Sequence, residues 1–177
     1  MKAVKKIVRY GTLLILLLCT NTTGNAQTPE INPSIEKTIT GQGYRKIALK
    51  RMLSGHLFME ATINGVKGSF FLDTGAGATV LDDCVKDKFK ASAEQSAVTG
   101  VGAGGDNLNI QASTGNKFET GGYHNDNYTL YFTRLDHVNN ALKQMGLSEI
   151  DGVLGADFLT LTKAIIDYST MTLYVHP

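Results

Sequence analysis

Cysteine is nearly missing from this chain of 177 residues: there are two, Cys19 and Cys84. Cys19 lies in a leading segment that carries the marks of an address, which leaves Cys84 without an intrachain partner. The fold must therefore be held by a hydrophobic core rather than by disulfides. Proline is scarce too, with three residues against 19 glycines. That balance argues against a disordered chain or a helical bundle and for a turn-rich, mainly β protein. No sign of charge dominates, since 17 Lys and Arg face 16 Asp and Glu. Four of the basic residues, Lys2, Lys5, Lys6 and Arg9, precede residue 27, and residues 27–177 are left with 13 basic and 16 acidic side chains, a net charge of −3. Nucleic-acid binding through a basic face is not expected. Metal-ligand spacings of the H-x-x-x-H or C-x-x-C type are absent, and no metal or other cofactor is expected. Internal repeats and low-complexity tracts are absent as well.

A long apolar run is the last thing missing. The stretch Leu13-Leu14-Ile15-Leu16-Leu17-Leu18-Cys19 falls well short of the roughly 20 residues that span a bilayer. It follows the basic stretch Met1–Tyr10 and precedes Gly24-Asn25-Ala26, small residues placed for cleavage before Gln27. This is the three-part pattern of a secretory signal peptide. The expected product is exported, periplasmic or secreted, with no membrane span after removal. An uncleaved anchor, or lipidation at Cys19, is the alternative. The expected organisation is a signal peptide over 1–26, a flexible leader over 27–43 containing Pro29 and Pro33, and one domain over 44–177.

What is present is a set of alternating segments. Leu57, Met59, Ala61 and Ile63 alternate with Phe58, Glu60 and Thr62, then Asn64-Gly65 precedes Val66–Leu72. Asn-Gly between two such runs predicts a hairpin with a type I′ turn, because both residues accept positive φ. Asp82 is placed to cap a short helix through about Lys90. Asp136 is placed to cap a second helix to Gln144, with Val138, Leu142 and Met145 on one face and Gly146 at its end. Tyr128–Phe132, Lys163–Tyr168 and Met171–Val175 are expected strands. Ile150–Leu159 is expected to form a strand, a glycine turn and a short helix. Cys84, among Val80, Leu81 and Val85, is expected to be a small buried residue rather than a nucleophile, since no His pairs with it recognisably.

Two motifs bear on chemistry. Gly100-Val101-Gly102-Ala103-Gly104-Gly105 satisfies G-x-G-x-x-G, but that pattern binds a dinucleotide only where a helix follows, and Asp106-Asn107-Leu108-Asn109 predicts none. A glycine-rich hairpin tip accounts for it better. Asp73-Thr74-Gly75 ends the apolar strand Phe70-Phe71-Leu72 and precedes small residues that permit a sharp turn. Spacing alone leaves two readings open: a carboxylate facing a cleft, or one that braces its own turn.

Phe71-Leu72-Asp73-Thr74-Gly75-Ala76 resembles the active-site signature of the retropepsin-like aspartic proteases. Ile150-Asp151-Gly152-Val153-Leu154-Gly155-Ala156-Asp157-Phe158-Leu159 resembles that family's second signature, with Gly152, Leu154, Gly155 and Asp157 in structural positions. The tract holding Gly100, Gly102, Gly104 and Gly105 lies where the family's flap would be, and the likeness spans about Tyr44–Val175, with the 111–149 region inserted. The resemblance implies a mainly β fold, a small closed barrel with one or two short helices near Asp83–Lys90 and Asp136–Gln144. It also implies a catalytic Asp73, with Thr74, Gly75 and Ala76 supporting it.

Peptide hydrolysis by carboxylates needs two of them sharing a proton. This chain has one Asp-Thr-Gly, and Asp151 and Asp157 belong to the second signature. A symmetric homodimer with Asp73 from each copy meets the requirement. The leading expectation is a dimeric exported aspartic endopeptidase acting on extended polypeptide. The alternative is a non-catalytic module that keeps the fold and binds peptides or partners.

Overall fold

The computed structural model describes residues 33–98, 100–101 and 107–177. In chain order the elements are helix α1 (Pro33–Gly41), strands β1 (Arg45–Ala48), β2 (Lys50–Arg51), β3 (Leu57–Ile63), β4 (Val66–Leu72) and β5 (Val80–Asp82), and a 3₁₀ turn at Asp83–Val85. Strands β6 (Glu94–Gln95), β7 (Gly100–Val101), β8 (Asn107–Leu108), β9 (Gln111–Thr120) and β10 (Tyr123–Thr133) follow. Helix α2 (Asp136–Gln144), β11 (Gly152–Leu154), α3 (Ala156–Leu161), β12 (Ile165–Asp167) and β13 (Thr172–Val175) complete the chain.

The expected hairpin forms as β3 and β4, in register from Leu57 opposite Leu72 to Ile63 opposite Val66. Asn64 and Gly65 turn it with φ of 49° and 80°, the left-handed region that Gly enters without strain. Leu57, Met59, Ala61 and Ile63 are buried as their alternation requires. Six strands then close a barrel in the order β3-β4-β11-β5-β10-β9, and β9 returns to β3 through Thr62 opposite Glu119 and Ile63 opposite Phe118. Its interior holds Phe70, Leu81, Phe118, Leu130, Phe132, Leu154 and Phe158. Closure leaves no free edge on these six strands where they pair. The mainly β closed barrel is therefore as the resemblance implied.

The arrangement that matters most for the site is a crossing of the chain. β4 and β5 are consecutive, yet β11 lies between them, parallel to β4 (Leu154 opposite Leu72) and antiparallel to β5 (Gly152 opposite Leu81). The segment 73–79 must therefore loop over the end of β11. A separate sheet, β1-β13-β12, packs Ile47, Leu173 and Val175 onto the same core. A second apolar cluster, Phe71, Leu142 and Ile150, lies between β4 and α2, which explains why Phe70, Phe71 and Leu72 are all buried despite pointing alternately to opposite faces.

Several expectations are corrected. The helix over Asp83–Lys90 shrinks to the 3₁₀ turn at Asp83–Val85. Asp82 does cap it, accepting from Cys84 N at 3.3 Å, but Phe89 must reach the barrel core and Lys90 turns away at φ 53°. Cys84 is exposed, not buried, because the tight turn aims it outward while Leu81 points in. Desolvation first, then the Asp82 carboxylate, push its thiol above the ordinary range, so it stays protonated and unsuited to nucleophilic work. Helix α2 occupies its expected span, but Leu135 is its N-cap and Asp136 instead pairs with Arg134. Met145 is exposed, and Leu142 carries the buried face. Part of the segment read as a loose leader is helical: α1 begins at Pro33, whose fixed φ suits a first turn. Glu36 ties this helix to β1 through Lys46 Nζ at 2.6 Å.

Candidate functional site

Asp73 stands where β4 ends. Its backbone N donates to Leu154 O at 3.0 Å, continuing the parallel pairing with β11, and its C=O accepts from Ala76 N at 3.2 Å to close a turn. The side chain is exposed, with Oδ1 accepting from Gly75 N at 2.8 Å. Oδ2 has no hydrogen-bond partner among the described residues, and neither has the exposed Thr74 hydroxyl. One oxygen is thus oriented by the loop, while the other is open to a reactant.

The second signature holds this loop from beneath. Ala156 N, at the start of α3, donates to Ala76 O at 2.7 Å. A Cβ on Gly155 would come within 2.6 Å of the Ala78 carbonyl and 2.8 Å of Ala76 O. A Cβ on Gly152 would meet Val80 O at 2.6 Å, so both glycines are required by close approach of backbones. Leu154 is fully buried and caps the barrel interior beside Leu72.

A buried polar cluster locks the far end of the loop. Thr79 is fully buried; its Oγ1 donates to Asp157 Oδ1 at 2.8 Å and accepts from Gly155 N at 3.2 Å. The Tyr128 hydroxyl lies 3.2 Å from both Thr79 Oγ1 and Asp157 Oδ2 and can donate to either. Burial is the main cause that pushes the Tyr128 phenol well above its usual range, so it remains a donor. Asp151 is occupied as well, accepting from Ser69 N at 2.8 Å and from Lys88 Nζ at 2.6 Å. Both aspartates of the second signature are committed to structure and not open to chemistry.

The two signatures meet in the structure, with the loop of Asp73, Thr74, Gly75 and Ala76 packed against Leu154, Gly155 and Ala156. Of the glycine tract, Gly100 lies in β7, which pairs with β8 through Gly100 opposite Leu108 and Val101 opposite Asn107. Gly102, Gly104 and Gly105 lie outside the described residues. A strand, not a helix, follows the tract, so the dinucleotide geometry does not arise. Among the described residues no group of His, Cys, Asp or Glu is arranged to hold a metal ion. Thr79 and Tyr128 carry no motif signal. They are separated by 49 residues, and only the closed barrel brings them together.

Comparison with known proteins agrees with this geometry. The family model described as "Aspartyl protease" matches residues 59–158, which contain both signatures. No curated protein sequence is significantly similar to the chain. Among solved structures, a retropepsin-like aspartic protease from Rickettsia conorii is similar at 22% identity and a TM-score of 0.54, over 75% of this chain and 92% of that one. The EIAV protease is similar at 19% identity and a TM-score of 0.49, over 67% of this chain and 98% of that one. The retroviral protease-like domain of Ddi1 from Leishmania major is similar at 16% identity and a TM-score of 0.47, over 68% and 87%. The family model covers more than half of the chain and the closed barrel has the retropepsin-like fold: the chain belongs to the aspartyl protease family.

Proposed function

We propose that this protein is an exported aspartic endopeptidase that works as a homodimer, with Asp73 of each copy meeting at the two-fold axis. The observation that carries the reading is the exposed Asp73 carboxylate, fixed through Oδ1 and open at Oδ2 among the described residues, in a sequence that holds one Asp-Thr-Gly. Two of these side by side cannot both ionise, so one takes the proton of an attacking water while the other, protonated, donates to the peptide carbonyl. Thr74 braces the pair through its hydroxyl, and Gly75 and Ala76 let the loops approach. Export follows from the leading segment, with the mature chain starting at Gln27 and residing in the periplasm or outside the cell.

The test is cleavage of a mixed peptide library by the wild type and by Asp73→Asn. The substitution is expected to remove the base, abolish cleavage and leave the fold intact. Equal cleavage by both would end the reading. No cleavage by a folded, dimeric wild type would leave the peptide-binding module in its place.

A further inference from the structure

We propose that the basic stretch from Lys37 to Arg51, together with the apolar tip at Leu53, is a docking face for an anionic lipid surface. The proposal goes beyond the protease reading and does not depend on it. Between Glu36 and Glu60 the sequence runs for 23 residues without an acid, and these include Lys37, Arg45, Lys46, Lys50 and Arg51. The rest of residues 27–177 carries eight basic and 16 acidic side chains. Cations are thus gathered on one segment of an otherwise acidic domain, a polarity that turns this segment toward a negatively charged surface.

The fold leaves most of these cations uncompensated. All five are exposed. Lys46 is paired with Glu36 at 2.6 Å, whereas the side chains of Lys37, Arg45, Lys50 and Arg51 have no ion-pair partner among the described residues. Lys46, Ala48 and Lys50 are exposed in alternation with the buried Ile47 and Leu49. Lys46 and Lys50 line one open cavity of about 330 Å³, with Phe58 as an apolar wall and Glu60 as its acid. Four unpaired cations therefore face one unpaired carboxylate at its border.

Leu53 adds an apolar contact next to them. At 89% exposure it is the most exposed large hydrophobic side chain among the described residues. A tight turn holds it out: Gly55 N donates to Met52 O at 2.8 Å and Met52 N to His56 O at 2.9 Å, with Gly55 at φ 85°. Met52 itself packs against the cluster of Phe71, Leu142 and Ile150, so the tip is anchored to the barrel. Insertion of a side chain already fixed in this way costs little ordering.

The combination selects the partner. A nucleic acid would satisfy the cations but has no use for an exposed leucine two residues beyond Arg51. A lipid surface takes both, with the cations at the headgroup phosphates and Leu53 at the acyl boundary.

Vesicle sedimentation with the chain from Gln27 tests the proposal. That chain keeps every described residue and omits the Leu13–Leu18 run, which would enter lipid by itself. At low ionic strength it should bind vesicles of phosphatidylcholine with phosphatidylglycerol, ignore vesicles of phosphatidylcholine alone, and come off the former as salt is raised. Lys50→Gln combined with Arg51→Gln should weaken binding about 25-fold, at about fivefold for each cation near the surface. Leu53→Ser should weaken it about tenfold. These side chains are exposed, so urea midpoints should stay at the wild-type value. The chain has no tryptophan, and Leu53→Trp therefore gives one emission band, which should move to shorter wavelength when the anionic vesicles are added. Absence of binding to anionic vesicles overturns the proposal, as does binding that neither variant weakens, or an emission band that stays in place. Tighter retention on single-stranded DNA than on vesicles, unchanged by Leu53→Ser, also overturns it and assigns the face to a nucleic acid.

Discussion

At the scale of single residues, the open Asp73 carboxylate depends on groups that never face solvent. Thr79 Oγ1 serves three neighbours, Asp157, Gly155 and Tyr128, inside a fully buried pocket. Thr79→Val keeps the volume but strands those partners. Leaving buried donors and acceptors unpaired costs about 1 to 3 kcal/mol each. Thr79→Val is expected to destabilise the domain by about 3 kcal/mol, and Tyr128→Phe by about 1 kcal/mol, since Thr79 still satisfies Asp157 in the latter. Urea denaturation midpoints check both values. Activity should fall in Thr79→Val beyond the loss of folded protein, because residues 73–79 are anchored there.

At the scale of elements, α2 does more than cover Phe71. Its Asn139 is buried and ties β5 to the residues leading into β11: Nδ2 donates to Asp82 Oδ2 and to Ile150 O, each at 3.1 Å, while Oδ1 accepts from Ile150 N at 2.9 Å. The helix thereby fixes the entry of β11 beside β5. Asn139→Ala is expected to cost about 3 kcal/mol by orphaning these groups, measurable as a lowered Tm. Asn139→Asp should be worse, because it sets a second carboxylate against Asp82 and removes both donors.

The β9–β10 hairpin carries a pH-dependent contact of its own. His124 Nε2 lies 2.9 Å from Asp126 and Nδ1 lies 3.3 Å from Glu119. The Asp126 hydrogen bond is the main cause that raises His124 above its ordinary 6.5, and the same bond lowers Asp126 below its ordinary 3.8. A raised histidine contributes stability that is full below its unfolded value and lost as pH rises through the folded one. A lowered aspartate contributes above its unfolded value and loses it on acidification. The pair therefore supports the hairpin between about pH 4 and 6.5. His124→Gln is expected to be less stable than the wild type at about pH 5.5, with the gap closing as pH rises through the raised His124 value. Denaturation curves across that range decide it.

At the scale of the whole molecule, the chain forms one barrel with one Asp-Thr-Gly. If catalysis needs two copies, activity has to follow the concentration of dimer. Specific activity of the wild type is expected to fall on dilution and to recover in the presence of a transition-state mimic of the statine type. Sedimentation measured over the same concentrations should show the dimer separating as activity is lost. Constant specific activity down to concentrations at which the protein is monomeric would contradict the shared site. Among the described residues no helix is long and apolar enough to cross a membrane.

The sequence by itself determined what depends on neighbours along the chain. The hairpin from Leu57 to Leu72 follows from strict alternation and Asn64-Gly65. The delivery of that strand into Asp73, the span of α2 and the strand–glycine–helix passage at Gly152–Leu161 are equally local. Position of the carboxylate at a strand end could be read for that reason, whereas whether it faced a cleft or braced its turn could not. The tertiary structure leads β11 between β4 and β5, so that the 73–79 loop crosses Gly155, and it leaves Asp73 exposed with Oδ1 accepting from Gly75 N of its own turn. It also joined Thr79 to Asp157 across 78 residues and Asn139 to Asp82 across 57, and turned Cys84 outward. No period of 2 or 3.6 encodes such contacts, because they arise when a barrel closes and distant strands take neighbouring places.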